Sequence, residues 1–223
     1  GFFVSGRETA RLKQEVELAR IRLAEADALR AENDRLKALM GMPRDAGQLP
    51  IATARLIAST ATSSRRFAVL SAGSTAGVAP GMPVRSPQGL VGRVLEVSPS
   101  SARVLLITDT ESMVPVRRTR DSIDAFAQGR GDGMLVLRLV NLGLNPLKLG
   151  DVMVTSGSGG LYRPGIAVAV VTSLTRDGAL ARVLSDPSAS EFVEVDPSFS
   201  AALKMPNPDD GQAAQVSPAP GKH

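Results

Sequence analysis

The sequence contains no cysteine and no tryptophan, and its single histidine, His223, is the last of the 223 residues. These absences exclude disulfides and zinc sites built from cysteine and histidine. They also leave every serine without the imidazole base of a Ser-His-Asp triad. The chemistry that remains is a Ser/Lys dyad, a pair of carboxylates or a metal site made of acids alone. The composition therefore favours a scaffold or binding protein over an enzyme, and we predict neither a cofactor nor a metal site.

Long apolar runs and concentrated charge are absent as well. No stretch of about 18 consecutive apolar residues occurs, so the sequence predicts no segment that spans a bilayer. The net charge is only +4, and no basic patch is accompanied by aromatic residues, which argues against nucleic-acid binding. The chain begins with Gly1 rather than methionine, and we expect residues 1–6 to be a membrane-proximal segment that follows an anchor.

The N-terminal part of the chain is rich in helix-forming residues. Residues 7–40 contain neither glycine nor proline and carry eight basic and seven acidic residues among many alanines and leucines. Gly41 and Pro43 provide a strong signal for the end of a helix. We therefore predict a helix over residues 7–41, which would be about 50 Å long at a rise of 1.5 Å per residue.

Apolar or small residues and one asparagine recur along this helix in steps of three and four: Leu12, Val16, Ala19, Leu23, Ala26, Leu29, Asn33, Leu36 and Met40. This is a heptad pattern with one irregularity between Ala26 and Leu29, and it predicts a coiled coil. A single Asn33 at a core position favours a dimer in a fixed register. We expect a homodimer formed through Leu12, Val16, Leu23, Leu29, Asn33, Leu36 and Met40. The alternative is a single amphipathic helix that packs on the rest of the protein.

Residues 50–204 show many short strand-like runs bounded by turn residues, with no long helix between them. The predicted strands are Ile51–Ile57, Phe67–Ser71, Pro83–Arg85, Gly89–Val97, Arg103–Thr108, Met113–Arg117, Ile123–Gln128, Met134–Leu139, Val152–Thr155, Ile166–Thr172, Leu180–Leu184 and Phe192–Val195. Such runs are typical of barrels or sandwiches, and twelve of them predict two small six-stranded β-barrels. The expected fold class is thus mainly β with a long N-terminal coiled-coil helix.

We place the first barrel at residues 50–128 and the second at residues 129–204. A strand at Phe192–Val195 could instead return to complete the first barrel. Residues 205–223 are rich in proline, alanine and polar residues, and we expect them to be a disordered tail.

Two motifs were weighed for catalysis. Ser158-Gly159-Gly160 is similar to the nucleophile segment of chymotrypsin-like proteases, but a hydroxyl needs an adjacent base. Lys148 or Lys204 could serve only in a dyad without motif support, so a glycine-rich loop is the favoured interpretation. Asp109 and Glu111 follow a strand and could form an acid pair or a cation site, although a turn capped by the aspartate is favoured.

Several motifs in order resemble a known family: Glu32-Asn-Asp-Arg-Leu36, Gly81-Met-Pro-Val84, Gly89-Leu-Val-Gly-Arg-Val94, Leu105-Leu-Ile-Thr-Asp109 and Gly150-Asp-Val-Met-Val-Thr-Ser-Gly157. Over about residues 15–197 the chain is similar to the MreC family of bacterial rod-shape-determining proteins. Ala169 stands where the family usually has a glycine, which puts the local backbone there in question.

The resemblance implies a single-pass inner-membrane protein whose coiled coil carries two β-barrels into the periplasm. It implies self-assembly and a place in the cell-wall elongation complex with MreD, RodZ, RodA and the actin-like MreB. It also implies that the protein binds and activates the elongation-specific penicillin-binding transpeptidase. The runner-up function is a periplasmic adaptor of a membrane transport complex, but such adaptors use a helical hairpin and this sequence predicts one helix.

Leu161 and Tyr162 are the residues that we single out as candidate partner contacts in the β region. They are apolar residues in a loop that otherwise consists of glycine and serine. Packing over the mouth of a barrel is an equally good explanation of the same pattern.

Overall fold

The computed structural model describes residues 2–39, 49–60, 66–140, 143–186 and 191–199. The chain divides into one unit of residues 1–48 and a second of residues 49–223. The elements of the described residues are α1 (Phe2–Leu39), β1 (Ala52–Thr60), β2 (Phe67–Leu70), β3 (Pro83–Ser86), β4 (Gly89–Val97), β5 (Ala102–Leu106), β6 (Met113–Arg118), β7 (Asp124–Gly129), β8 (Met134–Leu139), β9 (Val152–Thr155), β10 (Ala167–Thr175), β11 (Gly178–Val183) and β12 (Phe192–Val195).

The first unit contains α1, a continuous helix of 38 residues. The helix begins before the predicted residue 7 and runs through Gly6, a residue that costs about 1 kcal/mol relative to alanine in a helix interior. Met40 and Gly41, at the predicted end, lie outside the described residues. Nowhere in the described helical residues is there a stretch both long and apolar enough to cross a membrane.

Two closed antiparallel barrels of six strands each form the second unit, as the sequence predicts. The first barrel has the strand order β1-β12-β3-β4-β5-β2, and the second has the order β10-β11-β8-β7-β6-β9. Along β7 the buried and exposed side chains alternate, which is the pattern of a strand with one face toward a core. Among the described residues, closure gives every strand a neighbour on both sides, so neither barrel has an open sheet edge there.

The expected border between residues 128 and 129 needs correcting. Strand β6 and all of β7 except its last residue precede this border in sequence, but the two strands pair with β9 and β8 inside the second barrel. The first barrel is completed instead by β12, which lies between β1 and β3. Because the chain returns to the first barrel with β12, each barrel has six strands. The predicted tail at residues 205–223 lies outside the described residues.

Each barrel has its own core cluster, and the cluster of the second barrel extends to the start of β4. Leu90 in β4 and Ile107 after β5 belong to the first barrel in sequence, but both are buried in the core cluster of the second. At the same place the Ser185 hydroxyl donates a hydrogen bond to the Leu90 carbonyl oxygen. Gly89 is required here because a Cβ atom would lie 2.3 Å from the carbonyl oxygen of Ala167. The start of β4 is therefore packed directly against the second barrel.

Candidate partner-binding surfaces

The predicted dimer seam on α1 is exposed in the single chain. The exposed fractions are 51% for Leu12, 50% for Val16, 60% for Leu23, 72% for Leu29 and 48% for Leu36. Asn33 is exposed as well, and Met40 lies outside the described residues. An apolar stripe of this kind is removed from water when a second helix packs against it. The seam thus has the chemistry of a helix–helix interface whose second side is not contributed by the described residues.

Charged side chains on α1 pair within the helix. Arg11 with Glu15 and Arg30 with Asp27 form exposed ion pairs one helical turn apart. Such pairs contribute only about 0.3–0.5 kcal/mol each. They contribute to the polar surface beside the apolar stripe, although Leu18 and Ile21 are also about half exposed and lie off that stripe.

Tyr162 lies in the core of the second barrel, where only 2% of its surface is exposed. Burial raises the pKa of its phenol to about 12, although the positive charge of Arg93 acts in the opposite direction. Leu161 is partly buried against the same core, and its carbonyl oxygen accepts a hydrogen bond from the amide of Phe199. Tyr162 therefore packs inside the barrel, as the second explanation of the pattern has it, and its ring is not available to a partner. A partner contact at Leu161 stays a prediction.

The residues considered for catalysis lie in turns. Ser158 opens an exposed 3-10 turn, and its amide donates to the Ser156 hydroxyl oxygen. The buried Asp109 carboxylate accepts hydrogen bonds from the amides of Glu111 and Arg66, which fixes the turn after β5. No three acidic or histidine residues cluster as metal ligands in the part of the chain that the structure describes. The geometry gives these residues structural roles.

Polar contacts hold the barrels in one arrangement. Arg66, just before β2, donates through its Nε to the carbonyl oxygen of Gly131 in the second barrel. Asp196, which follows β12, accepts from Arg85 at 2.7 Å and lies 3.8 Å from the Arg163 Nε of the second barrel. Together with the packing of Leu90 against the second barrel, these contacts hold the two barrels in a defined relative arrangement.

Arg118, at the end of β6, holds the loop between β8 and β9 in place. The buried Arg118 guanidinium donates to Asp121 at 2.7 Å, to Asp151 at 2.8 Å and to the carbonyl oxygen of Pro146 at 2.7 Å. Asp151 also accepts from the amide of Lys148 at 2.8 Å. The guanidinium therefore fixes both the middle and the end of this loop.

The same ion pairs shift the acidic pKa values. Hydrogen bonding from Arg118 lowers the pKa of Asp121 below its usual value. Burial alone would raise the pKa of Asp151, but hydrogen bonds from Arg118 and from the Lys148 amide outweigh it and lower that pKa overall. The carboxylates are thus held in the charged form that Arg118 requires.

Asn145 fixes the remaining part of the loop. Its Nδ2 donates to the carbonyl oxygens of Thr175 at 2.9 Å and Gly178 at 2.6 Å, across the turn between β10 and β11. Its Oδ1 accepts from the amide of Leu147 at 3.0 Å. Residues 143–151, which contain no helix or strand, are in this way tied to the turn between β10 and β11.

Large apolar side chains project from this well-anchored loop. Leu144 is 98% exposed and Leu149 is 66% exposed, and Val140 beside the loop is 51% exposed. We call residues 143–151, with Val140 and the two depressions beside them, the β8–β9 loop surface. One depression of about 280 Å³ is lined by Ile123, Asp124 and Leu144 among others, and another of about 520 Å³ by Arg118, Arg120 and Val152 among others. Sequence reasoning missed this surface, although leucines among Gly, Asn and Pro were a usable signal.

A second exposed apolar site lies on the first barrel. Phe192 of β12 is 54% exposed, and the guanidinium carbon of Arg55 lies 5.3 Å from its ring centroid. Arg55 also pairs with Glu191 at 2.9 Å. A cleft of about 250 Å³ beside the ring is lined by Thr53, Pro87 and their neighbours. The charges here are paired with each other, which leaves the ring as the main exposed feature.

Comparison with known proteins identifies relatives of the chain. The family model for the barrel core of the rod shape-determining protein MreC matches residues 56–197. The cell shape-determining protein MreC of Caulobacter vibrioides is 36% identical over 196 residues, which covers 87% of this chain and 56% of the relative. The chain spans about half the length of the curated relatives it matches.

Solved structures share the fold. The crystal structure of MreC from Pseudomonas aeruginosa aligns with a TM-score of 0.61 and 32% identity, covering 65% of this chain and 97% of that one. A chain from the complex between penicillin-binding protein (PBP2) and MreC from Helicobacter pylori aligns with a TM-score of 0.50 and 14% identity, covering 66% and 96%. At that identity the second similarity concerns the fold alone.

Proposed function

The chain belongs to the MreC family of rod shape-determining proteins, and we propose that it is a non-catalytic scaffold of cell-wall elongation on the periplasmic face of the inner membrane. The observation that carries this proposal is that one chain contains both an exposed apolar seam on its helix and two barrels that pack together through Leu90 and Ile107. Such a chain is suited to holding other proteins in a fixed arrangement. The transport-adaptor alternative has less support, because α1 is the single α-helix of the described residues.

We infer that α1 forms a coiled-coil dimer through Leu12, Val16, Leu23, Leu29, Asn33, Leu36 and Met40. The support is the heptad spacing together with the exposure of these leucines and valine in the isolated chain. Two copies would display two barrel pairs, so that weak contacts with an assembled partner gain avidity.

The proposed partner of the barrels is the elongation-specific penicillin-binding transpeptidase. The support is the fold shared with the MreC chain whose solved structure is a complex with a penicillin-binding protein. Contacts with MreD, RodZ, RodA and MreB, and an N-terminal membrane anchor, belong to the same proposal and rest on the family alone. The scaffold would favour the active conformation of the transpeptidase by binding that conformation more tightly.

A pull-down with the purified periplasmic region of the transpeptidase tests the proposal. We expect this chain to retain the transpeptidase, and the retained amount should rise with the concentration of the chain. Parallel pull-downs with MreD and RodZ provide the comparison. Retention of either of these without the transpeptidase would contradict the proposed partner.

A further inference from the structure

We propose that the β8–β9 loop surface docks an apolar segment of a partner protein that is flanked by acidic residues. This inference rests on the proposed scaffold function and specifies which face of the barrels meets the partner. Leu144 and Leu149 would enter the apolar part of the partner, and the cationic rim would meet its carboxylates.

The way the loop is anchored supports a binding role. Removing the Arg118 guanidinium from water has a desolvation cost that an apolar side chain would avoid. The hydrogen bonds of Arg118 hold Pro146 and Asp151 in fixed positions, and Leu149 lies between these two residues in the sequence. Folding of the second barrel does not require the Leu144 side chain, since that side chain is almost fully in water. A loop held rigid while it exposes leucines loses little conformational entropy on binding.

The charges around the leucines favour an acidic partner. Four exposed cationic side chains lie on or beside the loop surface and form no salt bridge with any residue in the described ranges: Arg120, Arg138, Lys148 and Arg176. The exposed carboxylates that remain after Arg118 has engaged Asp121 and Asp151 are Asp124 and Asp177. With Arg118 counted together with its two carboxylates, the surface carries five cations and four carboxylates. The four exposed cations that form no ion pair with a described residue favour a partner that supplies carboxylates.

A protein fits this surface better than a membrane or a second copy of the chain. A two-fold contact between identical loop surfaces would bring like charges together. Two depressions beside the protruding leucines also provide space for the side chains of a protein segment.

The test compares two double variants for binding to the purified periplasmic region of the transpeptidase. The first is Leu144→Ser with Leu149→Ser, and the matched control is Ile57→Ser with Met113→Ser, which removes two exposed apolar side chains that lie outside both candidate surfaces. We expect the loop variant to weaken binding at least about tenfold, while the control binds as the unchanged chain does. Both variants should keep the thermal unfolding midpoint, because all four side chains are largely exposed.

A charge substitution at Lys148 tests whether the docked segment carries acidic residues. Lys148→Glu should weaken binding several-fold at low salt, and it should reduce the dependence of binding on ionic strength. Lys148 is exposed, and only its backbone amide takes part in holding the loop.

The outcomes separate this inference from the proposed function. No binding by the unchanged chain contradicts both. Binding that persists in the loop variant, or is lost in the control instead, overturns the inference while the proposed function stands. Loss of binding to anionic phospholipid vesicles, or of self-association in sedimentation, without loss of transpeptidase binding assigns the surface to a membrane or a second copy and also overturns it.

Discussion

The apolar side chains of α1 and those of the two barrels have opposite environments. Leu29 and Leu36 on α1 are 72% and 48% exposed, whereas Leu90 and Leu135 in the barrels are completely buried. Full burial of a leucine stabilises a fold by about 1.5–3 kcal/mol. The barrels gain this stabilisation within one chain. In the proposed dimer the helical seam would gain it only on association, so its contribution would depend on protein concentration.

The comparison also concerns how each region responds to change. A closed barrel with a filled interior has little room to adjust, so a single buried substitution affects the whole unit. An exposed helix face tolerates the same substitution in the isolated chain. The predictions below use paired substitutions in the two regions to separate folding of the barrels from association of the helix.

The largest expected effect is that of a charge inside the first barrel. Val195 of β12 is fully buried between β1 and β3, and Val195→Asp should destabilise the chain by at least about 4 kcal/mol. Urea unfolding followed by far-ultraviolet circular dichroism measures the change. The paired substitution Leu23→Asp on the exposed seam should leave the barrel transition unchanged. A similar loss from both substitutions would contradict the comparison.

Next in size is the contact between the barrels at Leu90. Leu90→Ala should cost about 3 kcal/mol, because it removes a buried side chain that reaches from the first barrel into the second. Tyr162, the single tyrosine, reports on the second barrel through its fluorescence. We expect its transition and the circular dichroism transition to shift together. A fluorescence transition that stays in place would contradict the packing of Leu90 in the core of the second barrel.

The seam variants should have an intermediate effect that is confined to association. Leu29→Ala with Leu36→Ala should raise the dimer dissociation constant at least about a hundredfold, with no change in the barrel transition. Leu18→Ala with Ile21→Ala is the matched control, since these side chains are also about half exposed but lie off the seam. Analytical ultracentrifugation provides both values. Equal weakening by the two pairs would argue against the heptad assignment.

The smallest predicted effect is the pH dependence of the Arg118 ion pairs. The folded chain holds the pKa values of Asp121 and Asp151 below their usual value of about 4. The unfolded chain therefore takes up protons first as the pH falls, and the stability from these pairs is lost below about pH 4. Asp151→Asn should cost about 1–2 kcal/mol at pH 7, with a smaller difference near pH 3. Melting curves over this range would contradict the account if the difference were constant.

Much of the local structure could be predicted from the sequence. The bounds of β4, β8, β9 and β12 agree with the predicted strands, because each is a short apolar run between glycine, proline or polar turn residues. Gly89 was also a usable signal, since the close approach of Ala167 leaves no space for a side chain. Local chemistry determines these features, so local sequence is sufficient to find them.

The border between the barrels could not be derived in the same way. Pairing of β12 with β1 joins residues that are far apart in sequence, and each strand carries a similar pattern of small apolar residues. Nothing in Leu90 itself indicates that it belongs to the core of the other barrel. Likewise the pattern around Tyr162 is the same for a buried ring and for an exposed one. The sequence was sufficient to find the strands, but not to find which strands distant in sequence pair with each other.

The central claim is that α1 pairs two copies of the chain while the barrels fold within each copy. Sedimentation equilibrium across micromolar concentrations tests it most directly. The account predicts a transition from the 23.3 kDa mass of one chain to twice that mass as the concentration rises, with no change in the barrel circular dichroism spectrum. A mass that remains that of one chain at tens of micromolar would contradict it.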